Sequence, residues 1–225
     1  TMTVEERITQ WMQSREEELV AALAPIIAAE STGSEPRPGM PFGPGPALAL
    51  DRALALAHSW GFATENHQGY VGTADLNDKP EGLHVLAHLD VVGAGDGWDT
   101  DPYTLVRDGD LIYGRGTDDD KGPLVAVLLA MRCVRELGLP LTKNARLIMG
   151  TDEETGSRDI EYYYKSHPFA PYTLSPDADF PVTNIEKAHY SPKVSARWEK
   201  TQGSGVRILS LEGGIRTNVA PANCK

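Results

Sequence analysis

Four short stretches of this chain gather groups that could bind a divalent cation or move a proton: His88-Leu89-Asp90, Asp118-Asp119-Asp120, Glu153-Glu154 and Asp177-Ala178-Asp179. In an extended segment side chains alternate faces, so His88 and Asp90 share a face while Leu89 points away. A carboxylate two residues from an imidazole can accept its second N–H, fixing tautomer and ring direction, which is what a metal-bound histidine needs. An imidazole with several carboxylates suits Zn2+, with Mn2+ or Co2+ as substitutes. One carboxylate can bridge two metals about 3.5–4 Å apart, and a two-metal site can activate a water. Adjacent Glu153 and Glu154 cannot point the same way in an extended segment, so one can ligate while the other addresses water as general base. That division of labour serves metal-assisted amide hydrolysis.

Taken singly, each stretch has an ordinary reading. An isolated His-x-Asp is a strand end with a surface histidine. Asp118-Asp119-Asp120 is a solvated loop or negative charge favourable at a helix N-terminus. Glu153-Glu154 is surface charge, and Asp177 is turn chemistry. Asp96, Asp99 and Asp101 do not fit a calcium-loop pattern and are read as a structural loop. His58, His67, His84, His167 and His189 have no comparable partners.

The elements that must position these groups follow from periodicity and breakers. Residues 4–29 carry apolar positions at helical spacing, read as one long helix or two shorter ones broken near Pro25. A Gly/Pro-rich loop covers 33–46, and a second helix 48–60 ends at Gly61. Residues 63–74 suggest one or two edge strands. A strand over 83–90 carries His88 and Asp90. Residues 103–106 and 111–113 flank the turn dipeptide Asp108-Gly109. A helix over 123–137 has Pro at its start and Gly138 past its end. A strand 145–150, a helix 158–166 and a strand 172–175 follow. His88, Asp119, Glu154 and Asp177 thus finish strands or loops, and carboxyl ends of strands in an open α/β sheet can converge in one crevice. From about residue 186 the pattern changes: 194–198 and 206–211 alternate like antiparallel strands.

The 225 residues are 40% hydrophobic and 24% charged, ordinary for a globular protein. A net charge of −11 with no Lys/Arg-rich run argues against nucleic-acid partners. Two cysteines, Cys133 and Cys224, make no disulfide framework. No long apolar run predicts a membrane span or a secretory leader, so the expected setting is the cytoplasm.

Set in order, His88-Leu89-Asp90-Val91-Val92, Gly97-Trp98-Asp99-Thr100-Asp101-Pro102 and the segment Gly114-Arg115-Gly116-Thr117-Asp118-Asp119-Asp120-Lys121-Gly122-Pro123 resemble the M20 family of zinc metallopeptidases. Gly150-Thr151-Asp152-Glu153-Glu154-Thr155-Gly156 and Ser175-Pro176-Asp177-Ala178-Asp179-Phe180-Pro181 continue the likeness. Within the family the resemblance points to the PepV-type, Xaa-His or carnosinase-like dipeptidases, which Pro41-Phe42-Gly43-Pro44-Gly45-Pro46 also fits.

The resemblance implies an α/β catalytic domain over residues 1–186, a central mixed sheet between helix layers. Residues 187–225 would begin an α+β lid domain. It implies two zinc ions: His88 and Asp177 on one, Glu154 on the other, Asp119 bridging both. Asp90 would orient His88, Glu153 would be the general base, and the peptide after Asp119 would be cis. The substrate would be a dipeptide or other short peptide. Family members are longer, with a lid inserted in a catalytic domain that resumes to supply a last zinc-binding histidine. That histidine, the lid histidine for the oxyanion and the arginine for the substrate carboxylate have no match here, and Asn218 is the one candidate substrate contact. The expectation is an N-terminal half that holds at most one zinc well, shows little activity alone, leaves an apolar sheet edge bare and has the missing C-terminal half as its partner. Two rival readings are an M20 amidohydrolase acting on N-acyl amino acids and a metal-binding fragment without catalysis.

Overall fold

Residues Glu81–His88 form a strand whose side chains are largely buried on both faces, as expected in the middle of a sheet covered by helices. A computed structural model of the chain describes residues 2–179 and, beyond them, 181–185, 188, 190, 192–197, 210 and 213. Its first compact unit is Thr1–Asp179, and its second is Phe180–Lys225.

In the first unit the helices are α1 (Val4–Gln13), α2 (Glu16–Ile27), α3 (Pro44–Ser59), α4 (Lys121–Glu136) and α5 (Arg158–Tyr164). The strands are β1 (Ala63–His67), β2 (Val71–Asp75), β3 (Glu81–His88), β4 (Val106–Asp108), β5 (Leu111–Tyr113), β6 (Asn144–Gly150) and β7 (Tyr172–Leu174). The main sheet runs β1-β2-β6-β3-β7, and β4 and β5 form a separate ribbon. β3 pairs parallel with β6 and with β7, while β1, β2 and β6 pair antiparallel, so the sheet is mixed.

Alternation along the central strands sends side chains to two layers. Val85 and Ala87 of β3 and Leu147 and Met149 of β6 meet Leu23, Ile26, Leu50, Leu124 and Leu128 of α2, α3 and α4. Ile148 and Val71 pack on the opposite side with Tyr163 of α5. The expected α/β sheet between helix layers is what the chain forms.

Several boundaries differ from the sequence reading. The N-terminal helical run breaks at Ser14-Arg15, where the Ser14 hydroxyl donates to the Trp11 carbonyl (2.7 Å) and Arg15 leaves helical dihedrals. Pro25 instead sits in the last turn of α2, where its missing N–H forfeits one bond shortly before the helix ends. α3 starts at Pro44 rather than 48, since proline is preorganised for a first turn. Gly45 follows because a Cβ there would lie 2.2 Å from the Glu30 carbonyl oxygen. β2 is internal rather than an edge. Residues 194–197 carry no strand, and 206–211 lie outside the described residues except for Ser210.

Candidate metal site

Every sequence-predicted group of the first unit comes to the carboxyl end of the parallel strands. His88 is the last residue of β3, opposite Gly150 at the end of β6. Glu153 and Glu154 follow β6, Asp177 follows β7, and Asp119-Asp120 immediately precede α4. The end of β3 is tied to α4 because the His88 N–H donates to Asp120 Oδ2 (3.2 Å). The Asp119–Asp120 peptide is cis.

The His88 ring is almost fully buried, and its Nδ1–H donates to the backbone carbonyl of Asp90 (2.9 Å). A carbonyl can only accept, so Nδ1 carries the hydrogen and Nε2 is left as the outward donor atom. Nε2 lies 2.9 Å from Asp119 Oδ1, 3.5 Å from Asp177 Oδ2 and 3.9 Å from Glu153 Oε2. Among the described residues it has no aligned hydrogen-bond partner. One ligand atom from each of His88, Glu153 and Asp177 lies within 4.8 Å of the others. A neutral imidazole facing three carboxylates is a set of acceptors without a donor, and a divalent cation fits it.

The charge balance without metal agrees. Burial pulls the His88 pKa down, but hydrogen bonding and attraction from Asp119, Asp90 and Asp120 raise it to about 11, so a proton takes the cation's place. Asp119 is held below the usual carboxylate range by its contact with His88. Burial pushes Asp120 up to about 7, and its Oδ1 has no partner. Burial also raises Glu153 and Asp177, against the pull of His88 and with the push of neighbouring acids. An elevated carboxylate suits proton transfer near neutral pH.

Two premises of the sequence reading meet a different geometry. Glu153–Thr155 is one turn of 3-10 helix, not an extended segment. Successive side chains therefore diverge by about 120° rather than alternating, which still sends Glu153 and Glu154 in different directions. Asp90 lies near His88 (Oδ1 to Nδ1, 3.5 Å), but its closest contacts are elsewhere. Its Oδ1 accepts the Glu153 N–H and its Oδ2 the Glu154 N–H, each at 3.0 Å. The carboxylate holds the glutamate turn, and the Asp90 backbone carbonyl holds the imidazole. Glu154 is half-buried beside this cluster. Asn218 lies outside the described residues.

Sequence reasoning passed over several buried groups around the site. Ser31 brackets the residues after β3, its hydroxyl donating to the Leu89 carbonyl (2.6 Å) and its carbonyl accepting the Val91 N–H. Lys121 is wholly buried and donates to the Ala29 carbonyl (2.8 Å), its pKa lowered by burial to about 8. Asp152 turns its carboxylate to Arg158 (Nε to Oδ2, 2.7 Å), and Asp159 is fully buried. A lone Ser, Lys or Asp carries no spacing signal. Only the burial of its neighbours would have marked it.

A mixed sheet with a buried imidazole and acidic side chains gathered at the ends of its parallel strands defines an α/β domain with a cluster that could hold a metal ion. The chain belongs to Peptidase family M20/M25/M40, whose profile matches residues 84–196. It is 39% identical over 186 residues to "Putative dipeptidase YtjP" of Bacillus subtilis (strain 168), covering 82% of this chain and 40% of that protein. It is 37% identical over 182 residues to a Beta-Ala-Xaa dipeptidase of Lactobacillus delbrueckii subsp. lactis, covering 80% and 38%. The crystal structure of human carnosine dipeptidase 1 superposes with a TM-score of 0.61 at 28% identity, over 73% of this chain and 38% of that one. The chain thus spans about two fifths of the length of the curated relatives it matches. No described helix is long and apolar enough to cross a membrane.

Proposed function

We propose that this chain carries the metal-binding part of a dipeptidase, an enzyme that hydrolyses the amide bond of short peptides. One observation supports it above the rest: the buried His88 Nε2, without an aligned partner among the described residues, faces Asp119, Glu153 and Asp177 at the strand ends of an M20-family domain. Dipeptidase names among its relatives narrow the substrate class.

Two zinc ions, or Mn2+ or Co2+ in their place, would polarise the scissile carbonyl and lower the pKa of water. His88 and Asp177 would hold one metal, Glu154 the other, with Asp119 shared between them. Among the described residues His88 is the one imidazole of this cluster. We assign the remaining ligand of the second metal, and the groups that grip the substrate's termini, to the part of the relatives' length that this chain does not match. Glu153 is the general base: its carboxylate takes a proton from the attacking water and passes it to the departing amine nitrogen. Burial raises its pKa, which strengthens the carboxylate as a base toward water. Asp90 holds Glu153 and Glu154 by their amides.

The test is hydrolysis of carnosine and of an N-acetyl amino acid by the full-length enzyme, stripped of metal by chelation and then reloaded with Zn2+. Reloading should restore cleavage, with the dipeptide preferred. No metal-dependent cleavage of either compound would overturn the proposal. A preference for the N-acetyl amino acid would move the reading to an amidohydrolase.

A further inference from the structure

Between β6 and α5, four consecutive backbone amides point at buried carboxylates. Those of Glu153 and Glu154 reach Asp90. Those of Thr151 and Asp152 reach one oxygen of Asp159, Oδ2, at 2.6 and 3.1 Å. The other oxygen, Oδ1, accepts the Ile160 N–H at 2.7 Å. Asp159 is 0% exposed, and it lines the small cavity shared by His88, Glu153 and Asp177. Both of its oxygens are already engaged by N–H donors, so it is not placed to compete for a cation.

We propose that Asp159 is a positioning residue of the site: through the amides of Thr151 and Asp152 it sets where Glu153 and Glu154 stand relative to His88. The inference rests on the hydrolase reading above. A carboxylate is expensive to bury, and it is retained only where strong hydrogen bonds compensate. A helix start could be served by an exposed Ser or Asp. Here two of the three bonds go instead to the end of β6 and the residue before the glutamate turn. Gly150 makes the arrangement possible, because a Cβ there would stand 2.5 Å from Asp159 Oδ2. On the far side of the turn, the Asp152 carboxylate accepts the Arg158 N–H (3.1 Å) and its guanidinium. The glutamate turn is therefore clamped by Asp159 at its entry, by Asp90 along its length and by the Asp152–Arg158 pair at its exit. An asparagine at 159 keeps the size but turns an NH2 group toward one of the amides, so at least one of these bonds is lost.

The experiment compares Asp159→Asn, Gly150→Ala and a core control, Leu23→Ala, in the full-length enzyme loaded with Co2+. Readouts are the visible Co2+ spectrum, kcat and KM on carnosine, and thermal stability. Loss of the clamp should lower kcat about 10- to 100-fold with KM within about twofold, the scale found when groups supporting metal ligands are removed. The Co2+ bands should shift in the same way in Asp159→Asn and Gly150→Ala, because both disturb one contact from opposite sides. Leu23→Ala should lower stability without moving the bands. Wild-type kcat and bands in Asp159→Asn, or losses no larger than in Leu23→Ala, would overturn the inference. Should Asp159→Asn fail to fold, Gly150→Ala decides by the same criteria. Should the unaltered enzyme cleave no peptide, the hydrolase reading falls, and the Co2+ bands of the variants alone decide this one.

Discussion

Two acidic loops leave the parallel strands of the sheet, and they handle their carboxylates in opposite ways. In the loop after β6 and the first turn of α5, Asp152 and Asp159 are buried, and the turn between them is held by hydrogen bonds to Asp159 and to the distant Asp90. Farther along the loop after β3, past the buried Asp90, Asp96, Asp99 and Asp101 are exposed. Among the described residues the Asp101 carboxylate bonds to its near neighbours, accepting from the Tyr103 N–H and the Thr104 hydroxyl, both at 2.9 Å. Both are acidic. A carboxylate whose acceptors are satisfied locally and in water shapes a turn. One taken from water needs designated donors, and the chain supplies them around the turn that carries the two glutamates.

The contrast can be broken from either side. Glu153→Gln keeps the side chain's size and removes its basicity, so turnover should fall about 10²- to 10⁴-fold, the usual contribution of a general base. Metal content, measured by elemental analysis of the same sample, should be unchanged. Loss of metal along with activity would mean that Glu153 and Glu154 have exchanged roles. Asp90→Asn should cost about 10- to 100-fold in kcat, because one of the two glutamate amides loses its acceptor. Activity equal to the unaltered enzyme would show that the turn holds itself.

Metal uptake carries a pH signature. In the metal-free fold His88 has a pKa near 11, above its ordinary 6.5, so between pH 6 and 8 it is protonated and a metal must displace that proton. Apparent affinity should therefore rise about tenfold for each pH unit over that range, measured by calorimetric titration with Zn2+. The proton's own contribution to folding has the matching sign. It is complete below 6.5 and is lost as pH rises through 11, since the folded state binds the proton more tightly than the unfolded one. An affinity that does not change with pH would remove His88 from the site. The smallest effect belongs to the other loop. Asp96→Asn should leave kcat, metal content and thermal stability where they were, and a measurable loss of metal there would erase the distinction between the loops.

Much of this was legible before any coordinates. The apolar run into His88, the turn at Gly109 and the glycine after α4 are local signals, and they found β3, the β4–β5 ribbon and the end of α4. The convergence of His88, Asp119, Glu154 and Asp177 was expected from their places at strand ends; the structure brings His88, Asp119 and Asp177 together with Glu153. The amides that Asp90 accepts were not legible, because alternation relates side chains of one strand and cannot see the amides of a turn sixty residues later. Asp159 and Lys121 were also out of reach. Nothing in a single charged residue reveals that it will be buried, and the partners that make burial tolerable are backbone groups, the same in every sequence. The break at Ser14-Arg15 escaped because a serine that bonds its own preceding turn leaves no stronger mark than a proline nearby.

The central claim is that the buried imidazole nitrogen of His88 is a metal ligand. A crystal structure of the Zn2+-loaded enzyme, with anomalous scattering recorded at the zinc edge, tests it most directly. The result expected is a peak about 2.0–2.2 Å from His88 Nε2 with an Asp177 carboxylate oxygen at similar range. A zinc peak among Asp96, Asp99 and Asp101, with His88 Nε2 left unliganded, would contradict it.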